Sequence, residues 1–229
     1  QLLALANWIC EHTGATVVYL TEAANTVGAQ FVGAHPVKGG LNAAQMLSGG
    51  LKAVLLLNNE PVHDSSAGAR ATDALSGAEM VVTLSPFKAN MEFSDVLLPI
   101  APFTETSGSF INAEGRLQSF HAVVRPLGDT RPAWKVLRVL ANMLEIPGFD
   151  FETSQDVLVR ATNAAPGAFS QIDATQLSNA VTGGVTASVS GAAGEPVVAS
   201  IYQLDGLVRR SPSLQLTADA RMAREEVAA

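Results

Sequence analysis

The 229 residues hold one cysteine, Cys10. No disulfide can close within the chain, and a cysteine-ligated iron–sulfur cluster, which takes up to about four thiolates, has no ligand set here. Histidine is also scarce. His12, His35, His63 and His121 stand too far apart for a metal-ligand pair on one helix, so the sequence carries no metal centre of its own. Cys10 reads as a buried, inert thiol on a helix. Phosphate-binding glycine patterns are missing: no G-x-G-x-x-G follows the first apolar run, and Gly33-Ala-His-Pro-Val-Lys38-Gly39 lacks P-loop spacing. ATP and conventional NAD binding are thereby disfavoured.

Charge is thin as well. Only 15% of residues are charged, against roughly 25% in soluble domains. The balance of −7 is scattered along the chain, which argues against nucleic acid, because phosphate binding needs a clustered basic face. With 48% hydrophobic residues, low charge admits two explanations: a surface covered by a partner, or an alanine-rich composition. Ala174 to Gly194 has no charge at all. Its Gln, Ser, Asn, Thr and Gly content rules out a membrane span, which needs ~20 predominantly apolar residues. The stretch reads as a flexible or weakly ordered connector. Position 1 is Gln and an apolar run begins at once, so the sequence reads as a segment of something longer, with no targeting peptide in view.

What is present is an alternation of strands and helices. Thr16–Leu20, Ala53–Leu57, Met80–Leu84 and Asp95–Leu98 are short, continuous apolar runs, the pattern of strands buried on both faces of a parallel sheet. Helices are expected at Leu2–His12, at Leu41–Leu47 between glycine pairs, and at Asp64–Leu75 with Asp64 as N-cap. The clearest is Pro132–Glu145, where Ala133, Val136, Leu137, Leu140, Ala141 and Leu144 make one apolar stripe. Thr153-Ser-Gln-Asp156 reads as a capping box opening a helix to about Arg160. Val197–Tyr202 is a last strand candidate, and Ser213–Glu226 a polar terminal helix. The fold class is therefore α/β, a doubly wound, mainly parallel sheet. Residues 1–149 form the main domain, 150–195 a short helix and connector, and 196–229 a C-terminal strand and helix packing back on that domain.

Ligands of open α/β sheets bind outside the carboxyl ends of the strands. Those ends lead into Thr21–Asn25, Asn58–Pro61, Ser85–Lys88 and Pro99–Pro102, which offer hydrogen-bonding groups for a nucleotide-like ligand but are equally ordinary loops. Glu105 and Glu114 have no fixed separation that would make them an acid–base pair. No Ser/His/Asp set stands in a nucleophile-elbow context. Asn112-Ala-Glu-Gly115, flanked by extended pieces, has the composition of a hairpin turn, with Gly115 accepting positive φ. That accounts for Asn112 and Gly115 but not for Glu114 or Arg116.

Residues 94–118, Ser-Asp-Val-Leu-Leu-Pro-Ile-Ala-Pro-Phe-Thr-Glu-Thr-Ser-Gly-Ser-Phe-Ile-Asn-Ala-Glu-Gly-Arg-Leu-Gln, resemble the "ADVVLP … E-x-x-G-T-x-x-N-x-E-G-R-x-Q" signature of molybdopterin oxidoreductases, which helps form the floor of that family's pterin-dinucleotide cleft. Leu51–Pro61 resembles its strand leading to an Asn/Glu-Pro turn, and Thr21–Gly28 its "A-N-x-x-G" segment. Within the family, Val123–Arg138 and Ile201–Gln215 resemble the G subunit of NADH-quinone oxidoreductase, the large iron–sulfur subunit of respiratory complex I. That likeness implies a non-catalytic, structural C-terminal region with no cofactor of its own. The iron–sulfur clusters would lie upstream. The partners would be those upstream domains and other peripheral-arm subunits, at the cytoplasmic face of the inner membrane. The wider family likeness implies an alternative, a pterin-binding piece of a formate-dehydrogenase-like molybdenum enzyme. Thr106, Asn112, Glu114, Gly115, Arg116 and Gln118 would then contact the molybdopterin. A barrel that clasps the pterin in the family's molybdenum enzymes is not visible after Phe149.

Overall fold

A computed structural model describes residues 2–21, 23–162, 172, 177 and 200–228. Three of the four expected strands form. β1 (Ala53–Leu57), β2 (Met80–Ser85) and β3 (Val96–Pro99) make a parallel sheet in that order, with Leu55 opposite Val82 and Val82 opposite Val96. Alternation divides the sheet into two faces. Val54, Leu56, Val81 and Thr83 share one of them. There Leu75 of α5 (Arg70–Ser76) and Phe93 pack with Val81 into a core, joined by Leu47, Val54, Leu56 and Val62. The opposite face carries Leu55, Leu57, Met80, Val96 and Leu98, all substantially exposed, around half-buried Val82 and wholly buried Leu84 on the central strand.

Polar groups on the covered side are paired, as burial demands. Thr83 is wholly buried, with its hydroxyl 2.7 Å from that of Ser94. Asp95, expected as the first strand residue, instead precedes β3 and accepts the Val81 N–H at 2.7 Å. A second sheet is the antiparallel hairpin of β4 (Gly108–Ile111) and β5 (Leu117–Phe120). Ile111 and Leu117 anchor a separate core with Val27, Phe31, Leu158 and Ile172.

The expected helices mostly form, with altered ends. α1 spans Leu2–Thr13, and Cys10 on it is half-buried rather than buried. α2 is Thr26–Phe31. The helix expected at Leu41–Leu47 contracts to α3, Ala43–Met46, opened by a reciprocal Asn42/Gln45 capping box. The expected Asp64–Leu75 helix divides into α4 (Pro61–Asp64) and α5, interrupted where Gly68 takes positive φ. Asp64 is therefore not an N-cap. It closes α4 and reaches back to accept the Glu60 N–H at 2.6 Å. α6 is Ala133–Met143, with Pro132 as its N-cap residue, and α7 is Ser154–Thr162. The Thr153/Asp156 capping box is formed, with Thr153 N–H to Asp156 Oδ2 at 2.8 Å and the return bond at 3.1 Å.

The remaining departures have local causes. Thr16–Leu20 joins neither sheet; Tyr19 Oη instead donates to Asn7 Oδ1 on α1 at 3.0 Å, and Val18 and Leu20 stay exposed. Of the strand expected at Val197–Tyr202, residues 197–199 lie outside the described residues. Ile201 and Tyr202 open α8 (Ile201–Leu204), because the Ser200 hydroxyl caps the Tyr202 N–H. The terminal helix is two elements, α9 (Pro212–Gln215) and α10 (Ala218–Ala228), with Thr217 Oγ1 accepting the Ala220 N–H at the junction. Apart from Leu177, the connector at 174–194 lies outside the described residues.

Candidate functional site

At the carboxyl end of β1 the chain turns through Asn58, whose left-handed backbone (φ 48°) an asparagine tolerates. The Asn58 N–H donates to Leu84 O at 2.7 Å, and Asn90 Nδ2 donates to Asn59 O at 2.9 Å. These bonds hold the Asn58–Pro61 loop beside the Ser85–Lys88 loop, as the strand-end argument requires.

What meets these loops is a part of the chain that sequence reasoning did not place there. A 3₁₀ turn, Val208–Arg210, brings two arginines onto them. Arg209 Nη2 lies 2.7 Å from Glu60 Oε1, and Arg210 Nη2 lies 2.8 Å from Glu60 Oε2. One carboxylate is thus gripped through both oxygens by two guanidinium groups, charge-assisted bonds of the stronger kind. Arg209 Nη1 approaches Asp64 Oδ1 at 3.9 Å, and the Arg210 guanidinium sits 4.2 Å from the centre of the Phe87 ring. The side chains of Arg209 and Glu60 are only 11% and 15% exposed. Burial pushes the Glu60 carboxyl upward, but hydrogen bonds from Arg210 and Arg209, with their charges, outweigh it and hold the group below the ordinary glutamate value. An adjacent pair of arginines in a charge-poor chain was the available signal.

The other strand-end loops serve elsewhere. Thr21–Asn25 does not extend a strand, and Asn25 reaches the hairpin: its Oδ1 accepts the Ile111 N–H at 2.9 Å and its Nδ2 donates to Ser109 O at 3.4 Å. The side chain pairs with β4 as a neighbouring strand would. Gly28 makes this possible, because a Cβ there would lie 2.1 Å from Asn25 Oδ1. After β3, the Ala101 N–H donates to Arg131 O at 2.9 Å.

The hairpin turn carries most of the candidate contacts. Asn112 Oδ1 accepts the N–H groups of Glu114 at 3.1 Å and Arg116 at 2.9 Å. The Asn112 N–H donates to Arg116 O at 3.1 Å, and Gly115 has φ 79°. Asn112 and Gly115 are turn builders. Glu114, Arg116 and Gln118 are exposed. Alternation puts Gln118, opposite Phe110, on the face away from Ile111 and Leu117. Thr106, half-buried before β4, donates to Ser107 O at 3.1 Å. Glu105 does not face Glu114 as an acid–base partner; its carboxylate accepts the Leu127 N–H at 2.9 Å.

Behind the hairpin, its inner face, α2, Trp134 of α6 and α7 enclose a groove of about 600 Å³. Ser107 Oγ donates to Ser154 Oγ across its floor at 2.7 Å. Serines, Asn25, Gln155, His121 and apolar side chains line it, without Lys, Arg, Asp or Glu. A pyrophosphate is held by cationic forks or a helix N-terminus. This groove offers it no lysine or arginine, only the first turn of α7 at Ser154 and Gln155. At the strand ends the Arg209 and Arg210 guanidinium groups are already engaged by Glu60. Among the described residues, no three His, Cys, Asp or Glu side chains gather as a metal set, and no helix is long and apolar enough to cross a membrane.

Comparison with known proteins adds a family match. The molybdopterin oxidoreductase family profile matches residues 2–143. The chain is 37% identical over 75 residues to "Probable oxidoreductase YjgC" of Bacillus subtilis, a stretch covering 33% of this chain and 8% of that protein. It is 42% identical over 59 residues to "Putative formate dehydrogenase SAB2186c" and "Putative formate dehydrogenase SAUSA300_2258" of Staphylococcus aureus, covering 26% of this chain and 6% of each. The matched stretches thus span less than a tenth of the length of these curated relatives.

Proposed function

The chain belongs to the molybdopterin oxidoreductase family, and on that premise we propose that it is a structural, non-catalytic part of an electron-transfer subunit, the C-terminal region of an NADH-quinone oxidoreductase G subunit. Redox clusters in the remainder of that subunit carry electrons from NADH toward quinone. This region docks against those domains and neighbouring peripheral-arm subunits, on the cytoplasmic face of the membrane.

One observation carries the reading: the Glu60 carboxylate at the strand ends is already engaged by Arg209 and Arg210 of the same chain. Two more support it. Asn112 and Gly115, two of the six candidate contacts, and Asn25 and Gly28 of the A-N-x-x-G segment have backbone tasks that account for them. The groove behind the hairpin offers a pyrophosphate no cation. Segment 201–215, one of the two that resemble the G subunit, includes Arg209 and Arg210, which engage Glu60.

The relatives named as formate dehydrogenases favour a second reading, in which the hairpin residues Thr106, Asn112, Glu114, Gly115, Arg116 and Gln118 contact a molybdopterin in a working enzyme. Metal and pterin analysis of the full-length protein separates the two. The structural reading expects molybdenum and tungsten far below one per chain; a stoichiometric amount of either would overturn it.

A further inference from the structure

The geometry points to a detachable cap: residues 200–217 sit over the strand ends as an ionic latch, held by the Glu60 carboxylate and opened when that charge is lost. The inference rests on the reading that the chain closes its own strand-end crevice, and it concerns how that closure is regulated.

The cap is internally bonded. Gln215 Nε2 donates to Tyr202 O and to Val208 O, both at 2.9 Å. Asp205 Oδ1 accepts the N–H groups of Leu207 and Val208 at 2.9 and 2.8 Å. Arg209 Nη1 donates to Leu204 O at 2.7 Å, and Arg210 Nη1 to Gly206 O at 3.0 Å. No residue of 200–217 is a strand member, so no ladder ties the cap to the sheet. Apolar docking is limited too: Tyr202 and Val208 are half-buried, but Ile201, Leu204, Leu207, Leu214 and Leu216 all remain exposed. The attachment is therefore concentrated at α4 and the Phe87 ring.

Such an attachment behaves differently from a hydrophobic one. Apolar contacts do not weaken when salt is added, whereas an ion pair that keeps some exposure, 31% at Arg210 against 15% at Glu60, is screened in part, less than a fully exposed pair would be. The groups facing Glu60 are Asp64 from its own helix, Arg209 and Arg210 from the cap, and the uncharged Phe87 ring from the loop after β2. Both arginines stay charged at any ordinary pH, so protonation of Glu60 is the switch. Its carboxyl is held below the ordinary value of 4.5. The latch is fully set above that pH and opens as pH falls through the lowered value.

Hydrogen–deuterium exchange on the full chain tests this, comparing 200–217 with β1–β3. Glu60→Gln keeps the shape and removes the charge. At neutral pH it is expected to speed exchange across 200–217 by about tenfold or more, with sheet amides unchanged, because loss of a buried ion partner strands both arginines. In the unsubstituted chain, 1 M salt should produce a smaller rise over the same residues, and Glu60→Gln should not respond to it. Unchanged exchange in 200–217 would overturn the latch. So would a rise shared equally by the sheet, since the cap would then belong to one cooperative unit. Arg210→Lys, which keeps a charge, guards against a folding artefact and should fall between the two. These outcomes leave molybdenum content untouched, so failure here is separable from failure of the functional reading.

Discussion

Asn25 and Gly28 act as one device. The Asn25 amide substitutes for a strand neighbour of β4, and Gly28, one helical turn later, leaves the space it occupies. Asn25→Ala leaves the Ile111 N–H, in a core position, without its partner, a loss of about 1–3 kcal/mol. Gly28→Ala ought to help an isolated helix by ~1 kcal/mol. Here the added Cβ meets Asn25 Oδ1 at 2.1 Å, so the expected outcome is a net loss of about 1–3 kcal/mol. Urea unfolding of the single and double variants checks both. In the Asn25→Ala background the alanine at 28 should cost little or become stabilising, because the atom it strikes has gone. Equal costs in both backgrounds would mean that Gly28 is needed for something other than the amide.

The same pair marks what was legible at this scale. The Asn-x-x-Gly spacing was visible in the sequence, and so was the turn chemistry of Asn112 and Gly115, because αL backbone and Asx geometry are local matters. The engagement of Glu60 by Arg209 and Arg210 was not, because 148 intervening residues separate Glu60 from Arg209, and no periodicity reports so distant a contact.

Among the elements, the strands at 53–57, 80–84 and 95–98 were readable as dense β-branched and leucine runs, and each forms within a residue or so of its expected limits. Thr16–Leu20 has the same composition but no ladder partner, and apolarity alone cannot supply one. Short helices suffered most: Asp64–Leu75 has a helical composition, yet a positive φ at Gly68 splits it. α7 shows the opposite case, a start signal written in four residues and realised. The Asp156 carboxyl is held below the ordinary aspartate value of 3.8, first by the Thr153 N–H, then by the Thr153 hydroxyl and the Glu152 N–H. A lowered folded value means that this cap is fully effective above pH 3.8 and is lost as pH falls through the lowered value. Thr153→Ala should cost ~1 kcal/mol. It should also fray the first turn of α7, read as faster amide exchange at residues 154–157. Leu158, which packs on the Ile111/Leu117 core, should loosen with it.

At the scale of the whole molecule, the sheet has a covered face and one whose outer strands stay open around a wholly buried Leu84. Leu55, Leu57 and Met80 are 46%, 45% and 52% exposed, and Val96 and Leu98 stand beside them. Clustered exposed apolar side chains are the kind of surface that protein contacts use, which suits the proposal of a region docked inside a larger assembly. The isolated chain, with only 15% charged residues to keep it apart from its copies, is expected to self-associate and to bind a hydrophobic dye. Leu55→Lys with Leu98→Lys should reduce both while moving stability by no more than about 0.5 kcal/mol, the ordinary range for an exposed site. If a helix of the same chain covered that face, each replacement would instead bury a charge and cost several kcal/mol. Light scattering and thermal unfolding of the double variant distinguish the cases: a soluble chain with an unchanged midpoint supports the open face, and a collapsed midpoint refutes it.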